Sequence, residues 1–164
     1  MNYDNITEII EDFYSKLGFS ISCFCDTDFA YFPTTEEISY SLFELPPADE
    51  GYKQFLQKYY NFNIPCSMFT FSLLHELGHY LTLKDISKKT LRNIRKAKKH
   101  MNKRVCKTFN DCVTLQIIYC GLQDEKKATE QAMSLINNNY QLIMDYDYLI
   151  HKEIHKFYQK YIDK

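Results

Sequence analysis

His75, Glu76 and His79 form a His-Glu-Leu-Gly-His run inside the apolar stretch from Phe71 to Leu81. On a helix, residues four apart lie one turn above each other, so the two imidazoles aim at one point. Neutral imidazoles paired in this way suit Zn²⁺. A carboxylate one residue round from the first histidine then reaches water in an open coordination position and acts as a general base. The alternative is a purely structural histidine pair. Against it, Leu73, Leu74, Leu77 and Leu81 embed the pair in an apolar helix, where ionisable groups without a partner are costly to bury. Gly78 points the same way, because glycine in a helix interior costs roughly 1 kcal/mol against alanine. Its presence implies that something passes close to the backbone there. The expectation is Zn²⁺ held by His75 and His79, with Glu76 as the catalytic base.

Two histidines leave zinc underliganded, since catalytic sites combine three protein ligands with one open position. The best third candidate is Glu125, in Asp124-Glu125-Lys126-Lys127-Ala128-Thr129-Glu130-Gln131-Ala132. Asp124 is suited to cap a helix there. Ala128 and Ala132 give that helix a smooth side able to pack closely on the helix of His75 and His79. Rivals stand beside it. Glu130 lies about one and a half turns further on. Asp147, His151 and His155 stack at four-residue intervals near the C-terminus, a column of metal donors or else an ordinary solvated helix face. His100, inside a basic run, is expected to be exposed.

These side chains need rigid elements to aim them. The metal-binding helix is expected over about 66–83, after a break at Asn61-Phe62-Asn63-Ile64-Pro65. An amphipathic first helix over 5–17 carries Ile6, Ile9, Ile10, Phe13 and Leu17, with Gly18 placed as a left-handed cap. Residues 19–25 predict a strand, Asp26-Thr27-Asp28 a turn, and 29–32 the hairpin partner. Residues 37–45 alternate Ile38, Tyr40 and Leu42 against Ser39, Ser41 and Phe43, a third strand ended by Pro46-Pro47. Further helices are expected over 48–60, with Tyr52, Phe55, Leu56 and Tyr59 on one face, and over 87–105, with the stripe Leu91, Ile94, Met101 and Val105. Phe109 to Cys120 is apolar enough for a buried helix, though ambiguous with a strand. Helices over 124–135 and 140–162 complete the chain. The fold class is α+β, a small N-terminal antiparallel or mixed sheet packed on a helical bundle that carries the His-Glu helix. One domain over 1–164 divides into a helix plus small sheet (1–47) and a mainly helical remainder (48–164).

A chain of 164 residues that is 45% hydrophobic and 16% aromatic can bury a core and is not a disordered segment. Met1 to Asn5 lack a basic stretch, and no apolar run approaches the roughly eighteen residues of a spanning helix, so secretion and membrane insertion are not expected. Six cysteines without a C-x-x-C pair fit reduced thiols in a cytosol. Cys23 and Cys25 would share one strand face as structural residues. Charge is uneven. Residues 84–107 hold eleven Lys and Arg against one acid, Asp85, so that segment carries +10 and the remainder −11 within an overall −1.

His75-Glu76-Leu77-Gly78-His79-Tyr80-Leu81, followed by Glu125 with Ala128 and Ala132, resembles the ImmA/IrrE family of zinc metallopeptidases, within the broader zincins whose third ligand is glutamate. The resemblance covers roughly residues 66–135. It implies a zincin-like domain with an N-terminal sheet, zinc on His75, His79 and Glu125, and Glu76 as base. It further implies cytoplasmic cleavage of a protein, often a transcriptional repressor, in a bacterium, phage or mobile element. Family members usually carry Asn or Asp where this chain has Thr129, and an aromatic where it has Gln131. A second expectation belongs to another class: a catalytically inactive zincin-fold binding or regulatory protein. Its basic segment 84–107 would engage nucleic acid or an acidic protein partner. The plainer account of that segment is an amphipathic helix lying over the acidic remainder of the chain.

Overall fold

A computed structural model describes residues 4–42 and 47–162. Among these, the order is α1 (Asp4–Lys16), β1 (Ser22–Asp26), β2 (Ala30–Phe32), β3 (Glu37–Ser41), α2 (Pro47–Tyr60), α3 (Met68–Thr82), a 3-10 turn (Leu83–Asp85), α4 (Lys88–Met101), α5 (Phe109–Cys120), α6 (Gln123–Asn138) and α7 (Tyr140–Ile162). The fold is α+β, mostly helical, with a small mixed sheet.

The first helix ends as its sequence predicts. Gly18 adopts φ +92°, and the amide of Phe19 donates to the carbonyl of Tyr14 at 2.8 Å, closing the last turn. The sheet differs from expectation. Its strand order is β1-β3-β2, with β3 parallel to β1 and antiparallel to β2. No hairpin joins β1 to β2. The tight turn is instead Pro33 to Glu36, where Glu36 takes φ 57° and its amide donates to the Phe32 carbonyl at 2.8 Å, pairing β2 with β3. The alternation read in β3 also fails as an inside-outside pattern. Ile38, Ser39, Tyr40, Ser41 and Leu42 are all buried, because the central strand is covered on both faces. The small serines fit that crowding. The strand stops at Ser41; Phe43 to Pro46 lie outside the described residues, and Pro47 opens α2, where a missing amide costs nothing.

Helix α3 is the axis of the core. Leu73, Leu74 and Leu77 have no exposed surface. The Tyr14 hydroxyl of α1 donates to the Leu73 carbonyl at 2.9 Å. At the helix start the Ser67 hydroxyl accepts from the Thr70 amide and donates to Asp147 of α7 at 2.6 Å. Its N-terminus is therefore both capped and anchored.

The α4–α5 region is built differently. In α4, Ile94 alone is buried. Val105 lies beyond the helix and is 84% exposed, so it does not extend the apolar stripe. The stretch from Phe109 to Cys120 is a helix, started by a capping box between Thr108 and Asp111, but none of its residues is buried. The expectation of a buried helix is overturned: α5 lies across the surface rather than through it. No described helix is long and apolar enough to cross a membrane. The six cysteines are all free thiols.

Candidate metal centre

The site depends on how closely α3 and α6 approach. A Cβ on Gly78 would lie 2.3 Å from the Ala128 carbonyl oxygen and 2.8 Å from its Cα. What passes close to Gly78 is thus the backbone of α6. Ala128 and Ala132 are completely buried in this contact. Any larger pair would hold the helices apart and separate the side chains that now meet.

Those side chains converge. Glu125 Oε2 lies 3.0 Å from His75 Nε2 and 3.6 Å from His79 Nε2. The two rings stand almost perpendicular, at 89°, with centroids 4.8 Å apart. Four ligands at zinc's usual bond lengths, arranged tetrahedrally, are separated from one another by about 3.3–3.5 Å. The observed separations bracket that edge, and two imidazole nitrogens with one carboxylate oxygen are a donor set that zinc accepts. The residues present therefore fit the metal. Glu76 stands with them: one of its carboxylate oxygens and one ring nitrogen from each histidine lie within 4.8 Å of one another, close enough to share an ion.

Neighbouring groups fix the donors. Thr129, one turn after Glu125, brings Oγ1 to 3.2 Å from His75 Nδ1. A hydroxyl thus occupies the place where the resembled family usually has a carboxamide or carboxylate. Lys98 of α4 donates to Glu125 Oε1 at 2.5 Å and to Asp124 Oδ2 at 2.6 Å. With Oε1 taken by Lys98, Oε2 faces the histidines. Asp124 does not cap α6, as its position suggested; the N-cap is Leu122, and the carboxylate turns to the Lys98 ammonium instead.

Charge states follow from this clustering. Burial raises the Glu125 carboxyl, but the two imidazoles outweigh it and hold the group far below the usual carboxylate range. Burial lowers His79, yet its contact with Glu125 leaves it above its ordinary value. Without metal, His79 holds a proton more tightly than a free imidazole, so protons and a cation compete for it. Burial also lowers Lys98, and Glu125 and Asp124 more than reverse the effect.

The rival donors lie elsewhere. Glu130 is exposed and pairs with Lys126 at 3.9 Å. Asp147 is engaged at the start of α3, and His151 Nδ1 sits 2.9 Å from the Asp147 carbonyl. His151 and His155 are exposed and border a different, largely apolar groove of about 920 Å³. His100 is exposed, as expected.

A cleft of about 360 Å³ opens on Glu76, His79 and Glu125. Ala30 and Tyr31 of the edge strand line one part of it; Arg95 and Lys98 of α4 and Tyr119 of α5 line another. The Lys98 ammonium lies 5.1 Å from the centre of the Tyr119 ring. Sequence reasoning missed Lys98 and Tyr119. A signal for Lys98 existed: it falls at helical spacing within the stripe Leu91, Ile94 and Met101, so it faces inward among apolar residues.

Fold and site together define an α+β chain with an imidazole-imidazole-carboxylate donor cluster between two closely packed helices. Comparison with protein-family models, curated proteins and solved structures finds no match to this chain.

Proposed function

We propose that this chain is a zinc-dependent metallopeptidase of zincin-like fold, akin to the ImmA/IrrE peptidases, which hydrolyses a protein substrate. The observation that carries the proposal is the meeting of one Glu125 oxygen with both Nε2 atoms across the α3–α6 contact. Zinc in such a site supplies Lewis acidity, lowering the pKa of water towards 7 and polarising a carbonyl.

The chain's own groups do the rest. Glu76 accepts the proton of the attacking water at its carboxylate and returns it to the departing amine. Thr129 holds the His75 ring through Nδ1, leaving Nε2 for ligation, and Lys98 holds Glu125 through Oε1. β2 is one of the two edge strands of the sheet and contributes to the cleft wall, so an extended peptide can lie along its free edge. The resemblance adds the biological setting: a cytoplasmic enzyme of a bacterium, phage or mobile element acting on a transcriptional repressor.

The decisive variant is Glu76→Gln. It keeps bound zinc and loses cleavage of a susceptible protein by about 10³-fold. Undiminished cleavage in that variant contradicts the mechanism. Wild-type protein that holds zinc but cleaves no unfolded or native protein points to the second reading, a zincin-fold binding protein, which the exposure of the basic helix α4 favours.

A further inference from the structure

The basic segment is more than a solvated helix. Lys88, Arg92, Arg95, Lys96 and Lys99 fall at i, i+4, i+7, i+8 and i+11 of α4 and form one stripe. All are exposed, and among the described residues none pairs with a carboxylate; on this helix only Lys98, turned inward, does. Apart from Lys98, the helix therefore pairs with none of the acids among the described residues. Like charges crowded on one exposed face repel one another, and an anionic partner relieves that repulsion.

The stripe touches the cleft at one residue, Arg95. Arg95 lines it together with Glu76, His79 and Glu125, while the cation next to it, Lys98, is already engaged by Asp124 and Glu125. Phe29, Ala30 and Tyr31, which also line the cleft, are apolar or aromatic and carry no charge. A polypeptide in the cleft meets residues of an apolar edge strand and the unpaired Arg95, with the rest of the stripe next to it on α4.

We propose that α4 selects an acidic polypeptide: a segment with Asp or Glu side chains set against Arg95 and the neighbouring stripe while its backbone lies in the cleft. The proposal rests on the metallopeptidase reading for its consequence, that acidic flanks direct cleavage. The binding itself does not require cleavage. A protein partner is favoured over nucleic acid because Arg95 shares a cleft of about 360 Å³ with residues of an edge strand, which suits an extended peptide and not a duplex.

The test uses full-length Glu76→Gln protein loaded with zinc, and fluorescein-labelled peptides that alternate Leu with Glu, Gln or Lys, read by anisotropy. The Glu peptide is expected to bind about tenfold more tightly than the Gln peptide at low ionic strength, and to lose that advantage as salt rises. Arg95→Glu, at an exposed and unpaired position, should weaken the Glu peptide about fivefold and strengthen the Lys peptide. Equal binding of the three peptides overturns the proposal, as does an Arg95→Glu variant that keeps the Glu preference. A labelled DNA duplex that binds more tightly than the Glu peptide, and loses affinity in Arg95→Glu, overturns it in favour of nucleic acid. Cleavage by wild-type protein is scored separately. Glu-selective binding without cleavage sinks the peptidase reading and leaves this proposal standing; cleavage indifferent to charge does the reverse.

Discussion

Helices α3 and α6 touch through their backbones, whereas α4 and α5 lie on the surface and bury only Ile94 between them. In the first pair Gly78, Ala128 and Ala132 remove side-chain bulk, and Glu125, Thr129 and His79 are buried, with His75 partnered by Glu125 and Thr129. In the second, α5 buries no residue, Phe109 is 81% exposed, and the outer face of α4 is mostly basic. The contrast separates two tasks. A metal site needs donors held to tenths of an ångström, which close packing supplies. A surface that meets a variable partner needs accessible charge and apolar side chains, and gains nothing from burial.

Substitutions in the two regions should therefore differ sharply in effect. Gly78→Ala sets a methyl against the Ala128 backbone, which cannot swing aside as a side chain can. We expect a loss of about 2–3 kcal/mol in urea unfolding, with weakened zinc binding as α6 is pushed from α3. A neutral Gly78→Ala would mean that the close approach is not needed. Thr129→Val keeps shape but removes the hydroxyl beside His75 Nδ1, and zinc affinity should fall about tenfold with little change in fold. Unchanged affinity would mean that the ring is oriented by other contacts. Phe109→Ser on α5 should shift stability by no more than about 0.5 kcal/mol, since the ring buries little surface. A large loss there would show that α5 is covered in the working protein.

The donor cluster was legible because its signals were local and chemical. His75 and His79 needed only helical spacing, and Gly78 announced a close neighbour that proved to be Ala128. Ala128 and Ala132 then marked which helix that neighbour would be. Other features were not legible because they depend on contacts distant in the chain. The turn signal at Asp26-Thr27-Asp28 was no weaker than that at Pro33 to Glu36, and only the burial of β3 on both faces decides which strands pair. Lys98 was masked by surrounding lysines, although its place in the apolar stripe set it apart. The composition of α5 suggested burial, but periodicity reports which face is apolar and not what covers it.

The most direct test is zinc content and affinity in full-length protein purified without chelator, beside a Glu125→Ala variant of matching helicity. One equivalent of zinc in the wild type, weakened more than about a hundredfold in the variant, is the predicted result. Zinc bound equally well without Glu125, or no zinc in either protein, would contradict a metal centre built across the α3–α6 contact.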